Sequence, residues 1–177
     1  MAVTGAAMLA LNANALEITI ANADYQGTNP LNPTAADIAT ITGSSALLLL
    51  YKTSDEEGPF LDSYTTIFGA ESETARVIYD GGGDPSIPAQ DNLWLIAKSG
   101  ASHIPVWYIW DLSASGLNWN GTDTLDIGVL WPQQGAISYV GLYGGETGRV
   151  PEGGSTAILL GTALVGIGAF RRRFSKS

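Results

Sequence analysis

Val106-Trp107-Tyr108-Ile109-Trp110-Asp111-Leu112 is the stretch that decides the fold. Its residues are aromatic, β-branched or aliphatic except for Asp111, a mixture that favours extended chain. Side chains of a strand alternate between faces, so Val106, Tyr108 and Trp110 share one side and Trp107 and Ile109 the other. Neither side is polar, so at least one must be core. Outward from this run, eight more strand-like runs follow the same composition: 16–21, 38–42, 46–52, 63–68, 76–79, 93–98, 124–130 and 136–143. The first alternates, with Leu16, Ile18 and Ile20 opposite Glu17 and Thr19, as a half-buried strand requires. Leu47 to Leu50 are apolar on both faces, which suits a central strand.

Turn signals separate the runs: Gly43-Ser44-Ser45, Glu57-Gly58-Pro59, Asp80-Gly81-Gly82-Gly83-Asp84-Pro85, Ser99-Gly100, Asn120-Gly121 and Pro132-Gln133-Gln134-Gly135. Many short strands at this spacing predict an all-β fold, an antiparallel β-sandwich of jelly-roll-like form. The composition agrees. Charged residues make up 14% of the 177 and glycines number 22, while helix-forming Lys, Arg and Glu are few.

Charge narrows the function. Residues 16–150 carry a net −12 and residues 151–177 a net +3. Nucleic acid is excluded as a partner of so acidic a body, because its binding needs Lys and Arg to neutralise phosphates. With no cysteine there is no disulfide, no Cys-ligated zinc and no Cys nucleophile.

The two ends read differently from the body. Residues 1–15 resemble the back half of a secretory signal peptide, a short apolar region closed by Ala13-Asn14-Ala15 in the small-x-small form of a signal-peptidase site. The first basic residue is Lys52, so the positive region of such a peptide is not among them. The body domain is expected over 16–146. In the last segment, 147–177, residues 157–170 are apolar or small throughout. As a helix they reach about 21 Å, short of a bilayer core of about 30 Å. Starting near residue 155 and counting the arginine stems brings 155–170 close to a marginal span. Arg171, Arg172 and Arg173 then act as a stop and stay on the cytoplasmic side, with the body outside. A helix packed on the core would need a polar face, and this one has none.

Before that segment stands Val150-Pro151-Glu152-Gly153-Gly154-Ser155-Thr156. Pro151 fixes its own φ and holds Val150 extended, Gly153-Gly154 keeps the link open, and Ser155 suits a helix N-cap. An extended, accessible backbone beside a membrane is what a protease needs. Motif, apolar stretch and Arg171-Arg172-Arg173 together resemble the PEP-CTERM class of bacterial sorting signals. Gly153 stands where that class has its second proline. The form is similar to the related VPDSG-CTERM variant, with Glu152 in place of Asp. The resemblance implies an exosortase, a membrane-embedded cysteine protease-transpeptidase, as the partner that cuts near the motif and releases or transfers the body. Phrases in the body, Val106-Trp107-Tyr108-Ile109-Trp110 and Trp119-Asn120-Gly121-Thr122 among them, also resemble exported PEP-CTERM proteins. They imply an extracellular β-domain without an established activity. Such bodies commonly carry cysteines, and this one has none.

The leading expectation is therefore an exported, non-enzymatic surface or extracellular-matrix protein without a cofactor. One alternative is an uncleaved membrane-anchored protein. Another is a carbohydrate-binding sandwich with polysaccharide as its partner, since exposed tryptophan stacks on sugar rings. Of five tryptophans, Trp94, Trp107 and Trp110 read as core, and Trp119 and Trp131, beside turns, as the candidates for ligand contact. Asp55-Glu56-Glu57 and Asp80 to Asp84 offer oxygen ligands of the kind Ca²⁺ takes, but neither has a calcium-loop spacing, and solvated turns are preferred. His103, the single histidine, has no Gly-x-Ser-x-Gly elbow to serve and reads as a loop residue before Pro105. Asn120-Gly121-Thr122 fits a glycosylation acceptor, and Asn-Gly equally a hairpin turn, the preferred reading.

Overall fold

The computed structural model describes residues 14–145 apart from 30–31, 54–56, 82–84, 101–102 and 133–134. These residues are mostly β, in two sheets, with one α-helix. The strands are β1 (Ala15–Ile18), β2 (Tyr25–Gly27), β3 (Leu48–Lys52), β4 (Tyr64–Phe68), β5 (Ala75–Tyr79), β6 (Leu93–Ser99), β7 (Trp107–Asp111), β8 (Thr124–Ile127) and β9 (Ile137–Gly144); the helix, α1, is Ala35–Thr42. One sheet has the order β1-β8-β5-β4 and the other β2-β7-β6-β9-β3. Every pairing is antiparallel except β1–β8, where Leu16 lies beside Leu125 in a parallel ladder. A parallel pair needs a long crossover between its strands, and the intervening chain, which builds both sheets, supplies one.

The sheets stack face to face. Ile18, Val77, Leu125 and Ile127 from the four-stranded sheet meet Leu95, Tyr108, Trp110, Val140 and Leu142 from the five-stranded one. Side chains from both inner faces fill the space between, as in a sandwich. The opposite face of the five-stranded sheet is buried too. Trp94, Ile96, Trp107, Ile109 and Tyr143 form a second cluster there with Ile38, against which Ala35, Ala39 and Ile41 of α1 pack. This explains why the opening stretch is apolar on both sides: Tyr108 and Trp110 face the other sheet, Trp107 and Ile109 the helix layer. The outer face of the four-stranded sheet is solvated, with Glu17, Asp126, Arg76 and Ile67 in one row across it. Its ion pair, Arg76 with Asp126 at 3.9 Å, is about half exposed and contributes little.

Two elements differ in kind from the expected strands; in addition β3 lies at the edge of its sheet and not at its centre, and β1 ends at Ile18, with Ile20 exposed in a 3-10 turn. Residues 38–42 are helical. Their β-branched composition suggested a strand, but local signals overrule it. Thr34 and Asp37 form a capping box: the Asp37 N–H donates to the Thr34 hydroxyl at 3.2 Å and the Thr34 N–H to the Asp37 carboxylate at 2.8 Å. Gly43, at φ 69°, closes the helix in the left-handed conformation. β2 was absent from the expected runs; at three residues it is too short to show alternation.

Among the described residues no helix is long and apolar enough to cross a membrane. The segment expected to do so, 155–170, lies outside them, as do residues 1–13 of the expected signal remnant.

Candidate functional site

The two tryptophans expected at the surface are inside. Trp119 is 2% exposed and Trp131 4%. Trp119 donates its indole N–H to the Asp123 carbonyl at 2.6 Å and lies 5.9 Å from the Tyr64 ring. Trp131 donates to the Pro105 carbonyl at 2.6 Å and lies 5.5 Å from Tyr108. A position beside a turn therefore did not mean exposure here. Both loops fold back over the sandwich and their rings join the core between the sheets. Trp94, Trp107 and Trp110 are buried as expected. None of the five tryptophans is more than 7% exposed.

The remaining candidates are quickly placed. His103 is half-buried, close to Gly135. Asp55-Glu56 and Gly82-Gly83-Asp84 lie outside the described residues, so the two acidic loops are seen only at their flanks. Among the described residues no group of three potential metal ligands comes together. Asn120-Gly121 forms a turn but not a hairpin: the Asn120 side-chain oxygen accepts from the N–H groups of Thr122 and Asp123, leading the chain into β8.

Among the described residues, two surface depressions stand out. The smaller, about 370 Å³, opens between the edge strands β3 and β4 and is bordered by Tyr51, Asp62, Thr65, Thr66 and Phe68. Its hydroxyls are committed to neighbours: Tyr51 with Thr66 at 2.8 Å, and Thr65 donating to Asp80 at 2.9 Å. The larger, about 580 Å³, opens beside the first turns of α1. Pro33, Ile41 and Trp107 form its apolar lining, and Asn29, Asn32, Thr34, Asp37 and Thr40 its polar one. Cross-strand pairing brings Trp107 there. It faces Gly27 of β2, and a methyl group on Gly27 would collide with the Trp107 ring. The Trp107 indole N–H is buried and has no hydrogen-bond partner among the described residues. A buried donor left so costs about 1–3 kcal/mol. Asp37 is held below the usual carboxylate range by the backbone N–H of Thr34 and then by its hydroxyl, so it stays charged at neutral pH. Sequence reasoning missed this depression because it joins a helix read as a strand to a tryptophan read as core.

The sorting motif Val150 to Thr156 and the arginines Arg171, Arg172 and Arg173 lie outside the described residues, and the comparison with known families speaks to them instead. Residues 149–174 match the VPDSG-CTERM motif. The chain carries a PEP-CTERM-like sorting signal. A VPDSG-CTERM motif implies recognition by an exosortase-type membrane enzyme, with export and association with the cell envelope or surface. The match takes in the Pro151-Glu152 pair, the apolar stretch and all three arginines, so the departures at Glu152 and Gly153 leave the tail within the motif. No curated protein and no solved structure matches the chain significantly.

Proposed function

We propose that the chain is the precursor of a non-enzymatic component of the cell surface or extracellular matrix, held briefly in the membrane by its tail and then cut by an exosortase. The observation that carries this reading is the VPDSG-CTERM match over 149–174. The physics of the tail fits temporary residence. The 155–170 segment is marginal for a permanent span of a core of about 30 Å. The arginines hold the C-terminus cytoplasmic while the Pro-Glu-Gly-Gly link stays outside, extended and open to a protease. An acidic body is suited to remaining soluble once released.

The non-enzymatic part of the reading rests on the sequence, with no cysteine, one histidine and no nucleophile elbow. The jelly-roll-like description of the body belongs to the same proposal, supported by the two stacked sheets. The rival reading, a tail that is never cut, shares every feature except cleavage.

The test compares the chain from cells with and without their exosortase by intact-mass measurement. Accumulation of the uncut chain only in the deletion strain supports the proposal. Identical masses that include the tail in both strains favour the permanent anchor.

A further inference from the structure

We propose that the enzyme which cuts the tail works against one end of the folded body, the end of the five-stranded sheet at which β9 finishes, with residues 146–149 as the spacer between them. This rests on the exosortase reading of the tail and adds where that enzyme meets the body.

The sheet holds the chain to within a few residues of the motif. Gly144 pairs with Leu93 of β6 on one side and with Leu48 of β3 on the other. The Gly145 N–H donates to the Asn92 carbonyl at 3.1 Å. Val150, the first residue of the motif, is five residues further on. Five residues reach at most about 18 Å when fully extended. The sheet itself is about 19 Å wide, from strand spacings of about 4.8 Å. The spacer is thus no longer than the sheet is wide. An enzyme that holds Val150 to Gly154 extended in its cleft has this end of the body against it.

The strands around the exit define the surface. Trp94 pairs with Asp111, which brings the end of β7 there, and the Asp111 N–H donates to the Asp24 carboxylate at 2.7 Å. The Trp94 indole donates to the Ser44 hydroxyl at 3.0 Å, which brings the loop before β3. Ser45, Asp91 and Ala114 are exposed in these segments. The basic residues of the described chain lie elsewhere: Lys98 beside Trp107 and Tyr139, Lys52 beside Gly141, and Arg76 on the other sheet. Anionic lipid headgroups attract basic segments, so an end of small and acidic residues suits a protein partner and not the lipid surface.

The chain has no cysteine, so one introduced cysteine is a unique labelling site. Ser45→Cys and Ala114→Cys place it at the exit end. Ile104→Cys, at a position 79% exposed, places it at the opposite end, where the Ser99 N–H donates to Val106. Each full chain is purified in detergent from cells lacking the exosortase, joined to a maleimide-polyethylene glycol and mixed with the purified enzyme. The adduct at Ile104→Cys should be cut at the unlabelled rate, and those at Ser45→Cys and Ala114→Cys at least fivefold more slowly. A flexible Gly/Ser insert of about 12 residues between Gly145 and Glu146, with a mean span of about 20 Å, should restore the rate. Equal rates for adducts at the two ends, or a block that the insert does not relieve, would overturn the proposal and leave the exosortase reading standing. An unlabelled chain that is never cut would overturn both. Protection of Ser45→Cys and Ala114→Cys from a small maleimide in membranes without the enzyme would assign this end to the lipid surface and overturn the proposal as well.

Discussion

The hydroxyl of Tyr64 on β4 donates to the carbonyl of Gly121 at 2.6 Å, across 57 residues of chain. The same oxygen accepts from the N–H of Ile87 at 2.7 Å, so one buried phenol ties a strand to two loops. Tyr64→Phe keeps the ring and removes the oxygen, leaving a buried carbonyl and a buried N–H without their partner. The expected loss is about 1–3 kcal/mol of unfolding free energy, read from urea denaturation. A change below about 0.5 kcal/mol would mean that water replaces the phenol at both groups.

Buried tyrosines also set the alkaline limit of stability. Burial, with a smaller contribution from Glu57, pushes the Tyr143 phenol up to about 12, and burial raises Tyr64 as well. In the unfolded chain both lose their protons near pH 10. Above that pH the unfolded state binds fewer protons than the folded one, so stability falls as pH rises. The slope is about 1.4 kcal/mol per pH unit for each such group between about pH 10 and 12. Denaturation midpoints measured from pH 8 to 12 should stay level up to about 9.5 and then drop. A level profile to pH 12 would place these phenols in water.

Gly27 and Trp107 face each other across β2 and β7. The indole lies where a side chain at residue 27 would be, and glycine there is a packing requirement. Gly27→Ala should cost about 1–3 kcal/mol by overpacking and shift the Trp107 emission. Unchanged stability and emission would mean that the ring moves aside freely.

The N-terminal boundary is tested by Edman sequencing of exported material. Ala13-Asn14-Ala15 places the cut after Ala15, giving a mature chain that starts Leu16-Glu17-Ile18. β1 then loses Ala15, and the bond from the Thr124 N–H to the Asn14 carbonyl, 3.0 Å, goes with it. The parallel β1–β8 ladder would be held by Leu16 to Ile18 alone. A mature chain that begins before Asn14 would keep the longer strand and contradict the Ala-x-Ala reading.

Much of the fold was legible because the strands obey local rules. The run from Trp107 to Trp110 is apolar on both faces, and the structure buries both, one against the other sheet and one against α1. Helix α1 was misread for a reason of the same kind. Ile38, Thr40, Ile41 and Thr42 have strand propensity, and the Thr34–Asp37 box with Gly43 outweighs it; those capping residues were present in the sequence and are the stronger signal. The burial of Trp119 and Trp131 was not legible. Whether a ring beside a turn points outward depends on how the loop returns to the sheets, and only tertiary contacts with Tyr64 and Tyr108 decide it. The depression beside α1 has the same character, since Asn29, residues 32–41 and Trp107 meet only in the folded chain. The tail is the opposite case, its three parts being contiguous and readable without any fold.

The measurement that bears most directly on the central claim is the intact mass of the protein recovered from the surface or medium of the cells that make it. The expected mass is that of a chain ending within or close to Val150-Pro151-Glu152-Gly153-Gly154, without the apolar segment and without Arg171-Arg172-Arg173-Phe174-Ser175-Lys176-Ser177. A recovered chain that still ends in those seven residues would contradict exosortase processing and leave the tail as a permanent anchor.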